Sequence, residues 1–308
     1  MICPLVSVIV PSFNQGRFLR ATLDSCLSQD YRPIEVRVID GASTDETLQI
    51  LHEYDAVPEV RWISEPDHGP VEAVNKGLAL ARGEIGLIQS ADDQSAAGAF
   101  RAAVEVLRGA ADVGLVYGDV ELMDEAGTVT QRLNVGSYSL LGLLARRTWV
   151  PQPCGFFRLD RVRRLGGWDE RFPYCPDTDL WFRLALSSRG VKLPRVLGRT
   201  RVHEGQRDHR TREVCASYAR MVRESEPLVQ SSRACRRALR AGLEILKVRY
   251  NPGLTDWQLC RALWQAGLLH PPLFFSSVLP KHRLVPGYFL LAGRTGALLR
   301  WFGLRQRR

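Results

Sequence analysis

Short runs of β-branched and aliphatic residues alternate, over the first ninety positions, with stretches whose apolar residues return every three or four places. Leu5-Val-Ser-Val-Ile-Val is such a run; Pro11 stops it, and Phe18, Leu19, Leu23 and Leu27 follow at helical spacing, which predicts a strand, a loop and a helix. A second strand is predicted over Ile34 to Asp40, ending in the tight turn Gly41-Ala-Ser43, and Ser43 and Glu46 have capping-box spacing for the next helix. The plan repeats with a strand at Val60 to Ser64, a loop Glu65-Pro-Asp67-His-Gly69, and a helix from Pro70 through Val74, Leu78 and Ala81. A fourth apolar run, Gly86-Leu-Ile-Gln-Ser, closes on Asp92-Asp93. Strands alternating with helices predict an α/β fold with a mostly parallel sheet, whose ligands gather at the carboxyl ends of the strands. Asn14, Asp40, Asp67, Asp92 and Asp93 all fall on such ends.

Vicinal carboxylates at a strand end can hold magnesium or manganese against a diphosphate, because these cations leave coordination positions open for substrate oxygens. Asp-Asp is equally a turn and helix-cap signal, so the pair alone carries two readings. Asp177 opens an amphipathic helix containing Leu180, Leu184 and Leu186; an acid in a first turn also satisfies free N–H groups and suits the helix dipole. Asp179 and Arg183 are spaced to pair across one turn. No Gly-x-Gly-x-x-Gly follows the first strand and there is no Walker phosphate loop, which disfavours dinucleotide oxidoreductases and P-loop enzymes.

Seven strings occur in order: Val8-Ile-Val-Pro-Ser-Phe-Asn14, Val38-Ile-Asp-Gly-Ala-Ser-Thr-Asp-Glu-Thr47, Ser64-Glu-Pro-Asp67, Asn75-Lys-Gly77, Ser90-Ala-Asp-Asp93, Gly166-Gly-Trp-Asp-Glu-Arg-Phe172 and Asp177-Thr-Asp-Leu-Trp-Phe-Arg183. Together they resemble the family 2 glycosyltransferases, inverting enzymes with the nucleotide-sugar-binding GT-A fold, over about the first two-thirds of the chain. The resemblance implies a catalytic domain over residues 1–212. It implies a nucleotide-sugar donor bounded by Pro11, Asn14, Asp40, Asp67, Asp92 and His203, with Asp40 accepting from the base. It further implies a divalent metal (Mn or Mg) with Asp93 as direct ligand and Asp92 beside it on the ribose or sugar, and Asp177 as general base. The chemistry agrees with one base: an acceptor hydroxyl attacks opposite the leaving diphosphate and loses its proton to a carboxylate, while a cation neutralises the leaving group. Two departures bear on this. Ser90 stands where many relatives have another acid, and Pro176 precedes Asp177. Asp67 also reads as a surface turn built by Pro66 and Gly69, and His203 as a structural histidine with Arg201 as a competing phosphate contact. A noncatalytic nucleotide-sugar binding module is the alternative function. The processive synthases' Gln-x-x-Arg-Trp is absent, the nearest string being Ala297-Leu-Leu-Arg300-Trp301, so transfer of a single sugar is expected, to a glycan or lipid-linked acceptor in polysaccharide biosynthesis.

At 308 residues and 45% hydrophobic content the chain accommodates a full α/β core and one small module. Seven cysteines without Cys-x-x-Cys spacing argue against a disulfide framework, and Met1-Ile-Cys-Pro lacks a signal peptide's basic flank, so a cytoplasmic location is expected. Residues 213–308 carry 16 Lys and Arg against 5 Asp and Glu, whereas the preceding part is slightly acidic. This basic region reads as helices, including Arg233 to Tyr250 and Trp257 to Leu269. It is expected either to pack as a helical subdomain or to lie on an anionic membrane surface at the cytoplasmic face. Ala262 to Leu279 lacks charged residues but is interrupted by Gln265, His270, Pro271 and Pro272, which predicts two short halves rather than a span. No zinc-finger or RNA-binding signature accompanies the basic charge, so nucleic acid is not an expected partner.

Overall fold

The computed structural model describes residues 3–206, 211–250 and 254–275; the string at 297–301 and the end of the uncharged stretch at 276–279 lie outside them. The described residues fall into two compact units, one of residues up to 143 with 148–206, the other of 144–147 with those from 211 onward.

The first unit is built on a nine-stranded mixed sheet. Strands β1 (Val6–Ser12), β2 (Ile34–Asp40), β3 (Val60–Ser64) and β4 (Ile85–Ile88) alternate with helices α1 (Gly16–Leu27), α2 (Thr47–Glu53) and α3 (Pro70–Leu80). These strands are parallel in the order β3-β2-β1-β4. Val6, Val8, Ile9, Val10, Val36, Val38 and Leu87 are all buried, as continuous apolar runs require when helices cover both faces. The chain then forms β5 (Gln94–Ser95), α4 (Ala99–Gly109), β6 (Val113–Met123), β7 (Val129–Leu133), α5 (Leu140–Leu144), β8 (Phe156–Arg158), α6 (Leu159–Arg164), α7 (Pro176–Ser187) and β9 (Arg189–Arg201). In this half β8 runs antiparallel to β4 and β6, β9 runs parallel to β6, and β5 and β7 are antiparallel edge pieces.

Register aligns the strand ends. Ser12 pairs with Asp40 and Asp40 with Ser64, so three polar residues stand in a row where β1, β2 and β3 finish. The expected capping box of α2 does not form. Ser43 Oγ donates instead to Asp40 Oδ1 at 2.5 Å and accepts from Asn14 N–H at 2.7 Å, while Asp45 takes the cap: its Oδ1 accepts from Thr47 N–H at 3.0 Å. The same carboxylate reaches α1, where Oδ2 accepts from Gly16 N–H at 3.0 Å. A side chain at Gly16 would meet Glu46 Cγ at 2.6 Å and Thr47 N at 2.8 Å, so the two helix starts can share one acid only because position 16 is glycine.

In the second unit α8 (Thr211–Ser225), α9 (Arg233–Tyr250) and α10 (Asp256–Leu269) bury apolar stripes that include Met221 and Val222, Leu239 and Leu246, and Leu263 and Ala266. Thr255 and Gln258 form the capping box of α10. Among the described residues no helix is long and apolar enough to cross a membrane.

Candidate active site

Two clusters form at the carboxyl ends of the parallel strands. The first gathers Asn14, Asp40 and Asp67. Asn14 adopts the left-handed conformation (φ 52°), and its Oδ1 accepts from Thr44 N–H at 2.8 Å, which ties the β1 loop to the β2 loop. Asp40 is fully buried and its carboxylate accepts from Ser43 N–H and Oγ and from Ser64 Oγ at 2.7 Å. The carboxylate is enclosed by these serines. Asp67 Oδ1 accepts from Gly69 N–H at 2.8 Å, and a side chain at Gly41 would meet its Oδ2 at 3.0 Å, so the β3 loop lies directly against the β2 turn. Pro11 and Ser12 end β1 beside these residues. Ser12 Oγ is buried without a hydrogen-bond partner among the described residues.

The second cluster is the acid pair. Thr22 Oγ1, buried on α1, lies 2.8 Å from Ala91 O and 2.7 Å from Asp93 O, and so pins the turn that presents the pair. Asp93 is buried, and its Oδ1 accepts from Arg201 N–H at 3.0 Å. Burial, and then the neighbouring charge of Asp92, push the Asp93 carboxyl well above the usual carboxylate range. Asp92 Oδ2 lies 2.9 Å from His203 Nε2. His203 Nδ1 faces two donors, Gly205 N–H at 3.2 Å and the Arg17 guanidinium at 3.4 Å, which assigns the ring proton to Nε2 and makes the histidine a donor to Asp92. The ring also packs on Phe18, centroids 5.0 Å apart.

Arg201 is not placed to take a phosphate. Its Nε donates to Asp92 O at 2.9 Å, and its Nη1 donates to Asp124 O and Glu125 O at 3.0 and 2.7 Å. The guanidinium therefore holds main-chain carbonyls, and Arg201 positions the acid pair. Three contributors had weaker signals in the sequence: Thr22, a hydroxyl on the apolar stripe of α1; Arg17, one residue from that stripe; and Gln152, whose Nε2 donates to Ser90 Oγ at 3.0 Å. Ser90 thus receives an amide where many relatives carry an acid.

Asp177 lies on another element, the first turn of α7. Pro176 starts α7, Asp177 is half-buried in its first turn, and Trp181 one turn on packs against Phe157, the β8 partner of Gly86 on β4. Asp179 points elsewhere. It is buried and paired with Arg183 at 2.5 Å, and Arg183 also donates to Leu165 O at 2.7 Å and Gly167 O at 2.8 Å.

The residues fit a divalent cation that is completed by substrate. Asp92 Oδ1 and Asp93 Oδ2 take no hydrogen bond from described residues, and a cation would offset the burial and the Asp92 charge that together lift Asp93. Among the described residues no group of three or more His, Cys, Asp or Glu forms a cage, so the remaining ligands would be diphosphate and water.

An acid pair at the end of β4, beside a polar row across β1 to β3, is the arrangement of a nucleotide-sugar-binding fold. Residues 7–162 match the model of glycosyl transferase family 2, and the chain belongs to that family. An uncharacterized glycosyltransferase of Mycobacterium tuberculosis is 35% identical over 196 residues, 63% of this chain and 74% of its own. The chondroitin synthase of Escherichia coli is 30% identical over 59% of this chain but only 26% of its own. Among solved structures, Staphylococcus aureus TarS residues 1–349 with UDP-GlcNAc superimposes with a TM-score of 0.67 at 18% identity, covering 94% of this chain and 92% of that one. The mannosyltransferase PcManGT of Pyrobaculum calidifontis, with GDP-Man and Mn2+, gives 0.58 at 21% identity over 96% and 82%. These likenesses show the GT-A fold.

Proposed function

We propose that this glycosyltransferase moves a single sugar, with inversion, from a nucleoside diphosphate sugar to a hydroxyl on a glycan or lipid-linked acceptor. The observation that carries the reading is the paired carboxylate at the end of β4, held by Arg201 and His203. In this reading Asp92 and Asp93 hold magnesium or manganese together with the donor diphosphate; the cation, when bound, offsets charge on the leaving group. His203 keeps Asp92 oriented, and Arg201 fixes the turn that presents both acids. Asn14, Asp40 with its serines, Asp67 and Pro11 bound the nucleoside. Asp177 takes the proton of the acceptor hydroxyl as that oxygen attacks. The likeness to one protein bound to a uridine donor and another bound to a guanosine donor leaves the base open, since Asp40 behind Ser43 and Ser64 suits either. The second unit serves in this reading to attach the enzyme peripherally to an anionic membrane at its cytoplasmic face.

The decisive experiment incubates the protein with a panel of nucleotide sugars and candidate acceptors and reads the anomeric coupling of the product by proton NMR. A product carrying one added sugar with inverted configuration is expected. A retained anomer overturns the single-base mechanism; a lengthening polymer overturns single transfer; donor binding without transfer to any acceptor favours the binding-module alternative.

A further inference from the structure

Four arginines of α9 open on one groove in the second unit. Arg233, Arg236, Arg237 and Arg240, with Leu269 at the end of α10, line a cavity of about 460 Å³. Positions 233, 236, 237 and 240 recur at helical spacing, so their side chains share a face of α9. Among the described residues one carboxylate serves all four: Arg240 pairs with Glu226. Arg236 donates to the Gln230 carbonyl and Arg237 to the Leu268 carbonyl at 2.8 Å, neither of which neutralises charge. Arg233 has no hydrogen-bond or ion-pair partner among the described residues. Guanidinium groups gathered with so little compensation repel one another, and an anion with several acceptor oxygens relieves that repulsion through bidentate contacts.

The surroundings narrow the anion. Two large apolar side chains flank the groove at points its own arginines reach. Leu268, 63% exposed, owns the carbonyl held by Arg237, and Leu228, 55% exposed, lies in the short turn held by Arg236 and Arg240. A soluble phosphate gains nothing from exposed leucines. A phosphate carried on acyl chains gains from both, with charge in the groove and leucines against the chain region.

The geometry points to this groove as a binding site for the phosphate of an anionic lipid headgroup. The inference deepens the membrane attachment proposed above and is independent of the catalytic roles. Phosphate at this site would dock the α9 face on a bilayer through defined side chains rather than through diffuse basic charge.

The test sediments the full-length protein with phosphatidylglycerol vesicles and with phosphatidylcholine vesicles. It compares wild type, Arg233→Glu with Arg237→Glu, and a control with the same charge change on exposed α8 positions, Arg212→Glu with Arg223→Glu. Circular dichroism confirms folding; if the double glutamate variant does not fold, Arg233→Gln with Arg237→Gln replaces it. The expected result is binding to phosphatidylglycerol only, weakened about tenfold or more by the groove substitutions and much less by the control. Equal loss in both variants overturns the groove in favour of diffuse charge. Undiminished binding of the groove variant also overturns it and leaves membrane attachment standing. No sedimentation of wild type overturns both, and if inorganic phosphate then shifts the arginine side-chain NMR signals of wild type but not of the groove variant, the source is a soluble phosphate.

Discussion

Burial of Asp93 beside Asp92 has a measurable cost while no cation is present. Its carboxyl stands above the ordinary range in the folded protein, so its contribution favours folding at low pH, where it is protonated, and is lost as pH rises through the folded value. Asp93→Asn mimics the protonated form and still offers an oxygen to Arg201 N–H. In metal-free buffer near pH 7.5 it is expected to melt about 2–4 °C higher than wild type, the gap closing toward pH 4, and to lose the joint response to manganese and donor. A variant that melts lower than wild type at every pH would show that ionised Asp93 is not strained. Asp177 and Asp179 separate in the same way. If Asp177 is the general base as proposed, Asp177→Asn keeps the helix start but cannot accept the acceptor's proton, and donor affinity is expected to persist while turnover falls by roughly 10² to 10⁴. Asp179 faces Arg183 inside the protein, where burial pushes its carboxyl up more than Arg183 pulls it down. Asp179→Asn is therefore expected to cost about 1–2 kcal/mol of stability, modest for a buried ion pair, and to leave turnover per folded molecule near wild type. Full activity of Asp177→Asn would remove that residue from the mechanism.

The helices and loops around the strand ends show how far local sequence reaches. The first four strands and three helices follow from periodicity because each is local, and β1, β2 and β4 are buried along almost their whole length, while β3 at the sheet edge is only half-buried. Ser43 shows the limit: its spacing to Glu46 suits a cap, but Asp40 and Asn14, brought near by strand register, compete for its hydroxyl and win. Similarly, the strings Asn75-Lys-Gly77 and Gly166-Gly-Trp168 look like separate signals until the fold joins them. Asn75 Oδ1 accepts from Trp168 N–H at 2.8 Å, and a side chain at Gly167, where φ is 68°, would meet that oxygen at 2.4 Å. Arg183 holds the same turn, so these two strings are joined to each other and to α7. Asp45 is the element-level test, since one carboxylate serves two helix starts. Partial burial raises its affinity for a proton, but bonds from the Thr47 hydroxyl, Gly16 N–H and Thr47 N–H outweigh this and hold it below the usual range. Its stabilisation is present above the unfolded value and is lost as pH falls through the folded one. Asp45→Ala should cost about 2 kcal/mol and lower the melting temperature by about 4–8 °C, and Asp45→Asn distinctly less. Equal, negligible effects of both would mean the helices do not depend on this cap.

Across the chain as a whole, charge and chemistry are segregated: the sheet unit carries the acids, and the basic excess begins after it. That division could be read from composition. The mixed half of the sheet could not, because β6, β8 and β9 pair across long separations, and β9 contains Pro194 and register shifts against β6 that blur any alternation. The acid pair was legible as a motif, but most of its support was not: Thr22, Gln152 and Arg201 converge on residues 90–93 from 62 to 109 positions away. Such a site should respond as one unit to donor and cation. If donor diphosphate and Asp92–Asp93 complete a metal site together, neither manganese nor donor alone should stabilise the protein much. Both together, with donor at about 100 times its Kd, should add about 2.7 kcal/mol and raise the melting temperature by about 5–10 °C. Excess EDTA should return the melting temperature to that of the free protein. The same scan with Asp92→Asn should lose most of the joint effect, since His203 would then orient an amide in place of a carboxylate. A donor-induced shift that survives EDTA in the wild type would show instead that the polar row across β1 to β3 binds the nucleotide unaided, and that the acid pair acts without a cation.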